Sequence, residues 1–174
     1  MNPRVGAAAP RPTPKGIVTK KQLVDSILHQ LASEMELIAN AAKSAHDEAT
    51  HDEELHKNQF ETPGLETSVL AEGQVRVAAE LREALDAIKE LPVHDFAAGD
   101  PITLGALVET ESEDEKTLYF VGPKGGGLEI ELEHATIYVI TPHSPLGAKL
   151  IGRRAGDLLP APAGRSSVRI VTVK

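Results

Sequence analysis

Two heptad patterns dominate the first half of the chain and run toward each other. In the first, the spacing alternates between four and three residues, and its members are Val24, Leu28, Leu31, Met35, Ile38, Ala42, Ala45 and Ala49. The members of the second are Leu70, Gln74, Val77, Leu81, Ala84, Ile88 and Leu91. Two such seams joined by one short connection bury each other most economically in an antiparallel helical hairpin. We therefore predict a coiled-coil hairpin over residues 19–92, with its tip near residues 50–68.

Capping signals place the ends of both helices. Thr19 is an N-cap, and Gln22 completes a capping box, which predicts a first helix from Lys20 to about Lys57. Thr62-Pro63 is typical of a helix start, because proline is favoured at the first helical position. The second helix ends at Leu91-Pro92, since the residue before a proline is pushed out of helical geometry.

After a predicted linker at residues 93–100, the pattern changes from helical to alternating. Five segments are rich in Val, Ile, Thr and Tyr and alternate at least in part: 102–109, 117–121, 128–132, 135–140 and 168–173. One short helix, from about Pro145 to Gly152, interrupts them. The sequence thus predicts an α+β fold, in which the hairpin precedes an antiparallel sheet domain at residues 101–174 with one short helix packed on it.

The composition of the chain limits the cellular environments and the classes of binding partner that are expected for it. The chain has 18 Lys plus Arg against 26 Asp plus Glu, which argues against general adhesion to nucleic acid or an anionic membrane, but not against contact inside a larger complex. The absence of cysteine excludes disulfides and thiolate metal sites and is compatible with a reducing cytoplasm. No apolar run approaches the roughly 18 residues of a membrane span. We expect a cytoplasmic protein without membrane contact.

Residues 1–18 contain four prolines and no apolar signal core, so we predict a disordered tail.

A block of glycines and prolines near the C-terminus, TPHSPLGAKLIGRRAGD from Thr141 to Asp157, resembles the signature of bacterial Gre transcript-cleavage factors. In that family the signature lies in an FKBP-like C-terminal domain, and Val121-Gly122-Pro123 and the closing strand at 168–173 fit the same domain. The resemblance covers nearly the whole chain after the tail. It implies an FKBP-like fold for residues 101–174.

Within this block, four residues are candidates for partner binding, although the same residues also have a structural interpretation: Ser144, Pro145, Leu146 and Gly147. Ser144-Pro145 is expected to cap the short helix, Gly152 to end it, and Gly156-Asp157 to turn the chain into the next strand.

The resemblance also implies a function. Gre factors are accessory proteins, not enzymes, which thread a hairpin through the secondary channel of RNA polymerase and stimulate the polymerase's own cleavage of backtracked RNA. Two tip carboxylates help to hold a second Mg²⁺ there, because Mg²⁺ prefers carboxylates, waters and substrate phosphate as ligands. The expected partners are RNA polymerase and the nascent RNA. The chain itself is expected to be a monomer with no tightly bound cofactor.

The tip departs from the family pattern. Typical Gre factors carry a loop of the type Gly-Asp-Leu-Ser-Glu-Asn between their helices, whereas Phe60 to Ser68 reads FETPGLETS here. By position, Glu61 and Glu66 are the nearest counterparts of the family's paired acids and are the predicted Mg²⁺ ligands. A second set of candidates, Asp52, Glu53 and Glu54, forms a run that is usually a solvated helix face.

Three other functions stay open. The altered tip is compatible with a Gre-related regulator or inhibitor that occupies the channel without promoting cleavage. Prolyl isomerisation by the FKBP-like domain requires an aromatic-lined pocket, for which Phe96, Tyr119, Phe120 and Tyr138 are available. Strand alternation sends Tyr119 and Phe120 to opposite faces, which argues against it. Finally, the hairpin could serve as a dimerisation coil.

Overall fold

The computed structural model describes residues 19–55, 64–113, 115–160 and 167–174, and for residues 45–55 and 64–72 it describes the helical backbone only. The predicted tail and the predicted turn at Thr62-Pro63 lie outside these residues. The described chain forms, in order, α1 (Lys20–Leu55), α2 (Gly64–Lys89), β1 (Leu107–Ser112), β2 (Glu115–Val121), β3 (Glu129–Leu132), β4 (Ala135–Ile140), α3 (Gly147–Leu150), β5 (Leu158–Leu159) and β6 (Val168–Val173). None of the described helices has a stretch long and apolar enough to cross a bilayer.

The N-terminus of α1 carries the capping box that the sequence predicts. The Gln22 backbone N–H donates to Thr19 Oγ1 at 3.3 Å, and the Thr19 N–H donates to Gln22 Oε1 at 3.1 Å. Two backbone donors that have no partner inside the helix are thereby satisfied. This exchange fixes the start of α1 at Lys20.

The two long helices pack antiparallel, because residues early in α1 contact residues late in α2. Leu23, Ile27 and Leu31 share one buried cluster with Leu85 and Ile88. Toward the tip the seam opens to solvent, so that Val77 is 41% exposed. Leu23, Ile27 and Leu85 lie outside the predicted ladder but are buried, because the base of the hairpin packs on the sheet as well as on itself.

The six strands form one sheet in the order β3-β4-β2-β1-β6-β5. The pairs β1–β2, β1–β6 and β3–β4 are antiparallel as predicted, and the short strand β5, which was not predicted, is antiparallel to β6. In contrast, β2 and β4 are parallel, so the sheet is mixed. The reason is the order of the strands. The chain leaves β2, forms β3 at the sheet edge, and returns as β4 between the two, which gives β4 the direction of β2. Alternation along a strand carries no information about which neighbour it takes.

Several strand boundaries also differ from the prediction: β1 ends at Ser112 instead of residue 109, and β2 begins at Glu115 instead of residue 117. The first strand was predicted from Ile102, yet β1 begins at Leu107. Ile102 is fully buried in the loop before it, where its N–H donates to the Arg153 carbonyl at 2.7 Å and its own carbonyl accepts from the Gly152 N–H at 2.9 Å. The two-residue strand β5 had no signal of its own.

The sheet buries its two faces against different parts of the chain. One face supplies Leu107, Phe120 and Ile137 to a first core shared with the base of the hairpin. The opposite face supplies Val108, Val121 and Ile170 to a second core, which is covered by the loop containing Ile102 and by Leu150 of α3. Burying a large apolar side chain contributes roughly 1.5–3 kcal/mol, so the first core holds the hairpin firmly on the sheet.

Candidate functional site

Four of the five predicted tip acids lie on helical backbone at the end of the hairpin that points away from the sheet. α1 ends at Leu55 and α2 begins at Gly64, whereas the opposite ends of both helices pack on the sheet. Asp52, Glu53 and Glu54 occupy the last turn of α1, and Glu66 is the third residue of α2. A carboxylate is favoured at the position of Glu66, because the start of a helix carries partial positive charge. Glu61 lies outside the described residues.

The hairpin extends well beyond its base. Leu31 is the last residue of α1 in the buried first core, and from there to Leu55 the helix rises about 36 Å at about 1.5 Å per residue. Along this arm Ile38 is only half-buried, and Ala42 is exposed. A slender pair of helices therefore carries acidic residues to its far end. That the tip acids bind Mg²⁺ stays a prediction.

The signature block folds into a tight turn before α3. Ser144 Oγ donates to the Thr141 carbonyl at 2.8 Å and accepts from the Gly147 N–H at 3.0 Å. A Cβ placed on Gly147 would lie 1.9 Å from the Thr141 oxygen, so no larger residue fits. Ser144 was predicted to cap the short helix; it instead closes the turn before α3, whose N-cap residue is Leu146 without a side-chain cap. Pro145 is exposed, whereas Leu146 packs against the second core.

Beyond α3, two loops lie side by side and expose apolar and cationic groups. The reciprocal hydrogen bonds of Ile102 join residues 102–105 to residues 151–154. On these loops Leu104 is 39% exposed, Ile151 is 37% exposed, and Arg153 is exposed. We call these three residues the paired-loop surface. Sequence reasoning missed it, because nothing along the chain indicates that residues about 50 apart share a surface.

Polar contacts also hold the hairpin against the sheet. Lys124, in the loop after β2, lies 2.6 Å from the Glu83 carboxylate of α2, and this pairing raises the pKa of Lys124 and lowers that of Glu83. Beneath this loop, a Cβ on Gly122 would lie 3.4 Å from Ile88 Cδ1 and 2.9 Å from the Lys124 carbonyl oxygen. The arm and the sheet are therefore in close contact along this side.

The first residue of α1 also holds the linker. Lys20 Nζ donates to the His94 carbonyl and lies 4.3 Å from the centroid of the Phe96 ring, a cation–π contact. Burial lowers the pKa of Lys20, and the nearby Asp95 carboxylate opposes that shift. Since Phe96 packs against the second core, Lys20 connects the hairpin to both faces of the sheet domain.

The four aromatic residues considered for an isomerase do not line one pocket. Phe120 is buried in the first core, whereas Tyr119 lies on the opposite face beside Tyr138, with ring centroids 6.0 Å apart. Phe96 is engaged by Lys20 and by His94. This arrangement gives prolyl isomerisation no support. Among the described residues, no group of three or more His, Cys, Asp or Glu side chains is placed to hold a metal ion.

Comparison with known proteins identifies the family. No protein-family model matches the chain. The transcription inhibitor protein Gfh1 of Thermus thermophilus is 26% identical over 157 residues, which cover 86% of this chain and 91% of that protein. The transcription elongation factor GreA of Acidiphilium cryptum is 30% identical over 141 residues, which cover 78% of this chain and 79% of that factor. The chain belongs to the Gre family of transcription factors.

Solved structures of Gre-family proteins were also matched. The crystal structure of Gfh1 from Thermus thermophilus covers 87% of this chain and 94% of its own, at 22% identity and a TM-score of 0.35. The GreA/GreB factor of Nitrosomonas europaea covers 63% of this chain and 89% of its own, at 26% identity and a TM-score of 0.32. Both superpositions are loose, and membership in the Gre family rests on the sequence relatives.

Membership confirms the resemblance carried by the signature block. The names of the two sequence relatives describe opposite effects, since one is named as an elongation factor and the other as an inhibitor.

Proposed function

We propose that this chain is a transcription elongation factor that enters the secondary channel of bacterial RNA polymerase and stimulates the polymerase's own cleavage of backtracked RNA. The observation that carries the proposal is the placement of acidic residues at the far end of an arm about 36 Å long, in a Gre-family chain. The factor acts as an accessory protein rather than an enzyme. Its partners are RNA polymerase and, within the elongation complex, the nascent RNA; it works in the cytoplasm as a monomer.

In this proposal the chain contributes carboxylates and their position. Glu61 and Glu66 are the first candidates, and Asp52, Glu53 and Glu54 the second. Their oxygens are of the hard type that Mg²⁺ prefers. When bound in the polymerase, a second Mg²⁺ stabilises the attacking and leaving oxygens of the hydrolysis.

The sheet domain supplies the second contact with the polymerase. The paired-loop surface combines two exposed apolar side chains with a cation, a composition suited to a protein interface. The Ser144 hydrogen bonds and the tight turn at Gly147 hold α3, and therefore the loop that carries Ile151 and Arg153, in one position. Docking here would leave the arm free to enter the channel.

Addition of the chain to stalled elongation complexes with Mg²⁺ tests the proposal. We expect the nascent transcripts to shorten from their 3′ ends, and the shortened RNA to be extended again when nucleotides are restored. Complexes without the factor serve as the control. Transcripts that stay at full length while the chain is bound to the polymerase would contradict cleavage stimulation.

A channel-occupying inhibitor is the second candidate. It is favoured by the missing Gly-Asp-Leu-Ser-Glu-Asn string at the tip and by the 26% identity to a protein named as a transcription inhibitor. In the same assay this candidate predicts no shortening, together with loss of the cleavage induced by an added GreA. Competition by the chain without cleavage would therefore select this second function.

A further inference from the structure

One half of the sheet face that carries the second core is not covered by that core. Across neighbouring strands, Glu129 pairs with Tyr138, and Tyr138 pairs with Tyr119. Both tyrosines are partly exposed, whereas Glu129 and Glu131 at the sheet edge are exposed. Glu115 is exposed on the same face, since it lies two positions before Thr117 and four before Tyr119 in β2. We call these five residues, Tyr119, Tyr138, Glu115, Glu129 and Glu131, the tyrosine face.

The tyrosine face combines two features of a peptide-binding surface. The two rings, with centroids 6.0 Å apart, form an aromatic platform, and three carboxylates lie around it. Tyr119 is half-buried, and this burial raises its pKa. Aromatic surfaces bind proline-rich segments, because the extended polyproline conformation loses little entropy on binding. The acidic rim then favours a segment that is basic.

The first 18 residues of this chain have that chemistry. They contain four prolines, three of which fall in the run PRPTP at residues 10–14, and three cations, Arg4, Arg11 and Lys15, with no acidic residue. Subtracting these three cations from the net charge of −8 leaves −11 on residues 19–174. The segment is therefore the basic part of an acidic protein.

The segment is also long enough to reach the tyrosine face from the point where it joins α1. Residue 18 precedes Thr19 and Lys20, and Lys20 contacts Phe96, which packs on the second core of the same sheet face. An extended chain of 18 residues spans up to about 60 Å, whereas a six-stranded sheet is only about 24 Å wide at about 4.8 Å per strand spacing. The extended length of the segment therefore exceeds the width of the sheet.

We propose that residues 1–18 bind in cis to the tyrosine face, with the PRPTP run against Tyr119 and Tyr138 and the cations beside the carboxylates of Glu115, Glu129 and Glu131. This placement explains why a segment without an apolar core of its own is strongly basic in an otherwise acidic chain. The proposal does not depend on the effect of the protein on transcription.

Tyrosine fluorescence of the full chain tests the contact directly. The chain has two tyrosines and no tryptophan, so its intrinsic emission comes from the tyrosine face alone. We expect the triple variant Arg4→Glu, Arg11→Glu, Lys15→Glu to increase quenching by acrylamide about two-fold, because a side of each ring becomes accessible. The matched control, Lys43→Glu, Arg76→Glu, Lys89→Glu, makes the same change of charge at exposed helix positions and should leave quenching unchanged.

A charge exchange completes the test. Glu129→Lys with Glu131→Lys should increase quenching in the otherwise wild-type chain, and should restore wild-type protection when combined with the reversed N-terminal segment. Equal quenching in the wild type and the reversed-segment variant would overturn the proposal. Protection that weakens on dilution would also overturn it, because it would show binding to a second copy instead of binding in cis.

Discussion

Replacing Glu61 and Glu66 together with glutamine is expected to reduce the stimulated cleavage of backtracked RNA by about 100-fold or more, since direct metal ligands should cost at least as much as the 10–100-fold typical of outer-shell residues. Glutamine keeps the size of each side chain and removes only the negative charge. Binding to the polymerase should be unchanged, because the proposed docking residues lie on the sheet domain. Cleavage rates and binding are measured on the same stalled complexes.

The second set of acids provides a control for this variant. Asp52→Asn, Glu53→Gln and Glu54→Gln remove three charges from the last turn of α1, and we expect cleavage to stay close to the wild-type rate. If this triple variant loses cleavage while the Glu61 and Glu66 variant keeps it, the assignment of the two glutamates is wrong.

Gly147→Ala is expected to destabilise the sheet domain by about 3 kcal/mol or more. The added Cβ would lie 1.9 Å from the Thr141 carbonyl oxygen and 2.9 Å from Ser144 Oγ, so the backbone of the turn has to move. Such a movement also breaks the hydrogen bond from the Gly147 N–H to Ser144 Oγ and shifts Leu150 out of the second core. Urea unfolding followed by tyrosine emission reports this domain directly, because both tyrosines lie in its sheet.

Gly73→Ala is the matched control for the glycine change. Gly73 lies within α2, and nothing lies within 4 Å of a Cβ added there. Alanine should therefore stabilise the helix by about 0.5–1 kcal/mol, because glycine is a poor helix former. An unfolding midpoint for Gly147→Ala equal to that of the wild type would mean that the turn is looser than the geometry indicates.

The helices were largely predictable from local signals. The capping box of Thr19 and Gln22 predicts the start of α1, and the same atoms make the hydrogen bonds in the structure. The heptad ladder predicts the antiparallel seam, since it depends only on the periodicity of each helix. It does not predict the burial of Leu23 or Leu85, because the surface that covers the base of the hairpin comes from strands that are distant in sequence.

The sheet was predictable as strands but not as a topology. β4 was predicted at its observed bounds, Ala135–Ile140, because alternation of apolar and polar residues is local. Its parallel pairing with β2 follows from the path of the chain through β3, which alternation does not encode. Ile102 illustrates the same limit, since its apolar neighbours read as a strand although its backbone pairs with the loop after α3.

Some parts of the candidate site were likewise predictable from the sequence, and others were not. The signature block indicated both the Gre family and a structural role for Ser144, because fixed glycines and prolines reflect backbone geometry. The paired-loop surface was missed, since the loops that carry Leu104 and Ile151 are joined by backbone hydrogen bonds of Ile102 to Gly152 and Arg153, which no local pattern predicts. The functional role of the tip acids was inferred from the resemblance and stays a prediction.

Site-specific cross-linking from the tip to RNA polymerase tests directly whether the arm enters the secondary channel. The chain has no cysteine, so Asn58→Cys gives a single attachment point for a photoactivatable cross-linker between the two helices. Asp25→Cys, at the exposed side of the hairpin base, is the control. If the arm enters the channel, the tip label reacts with polymerase segments around the catalytic Mg²⁺ and the base label does not. Reaction of the tip label only with the outer surface of the polymerase would contradict entry into the channel.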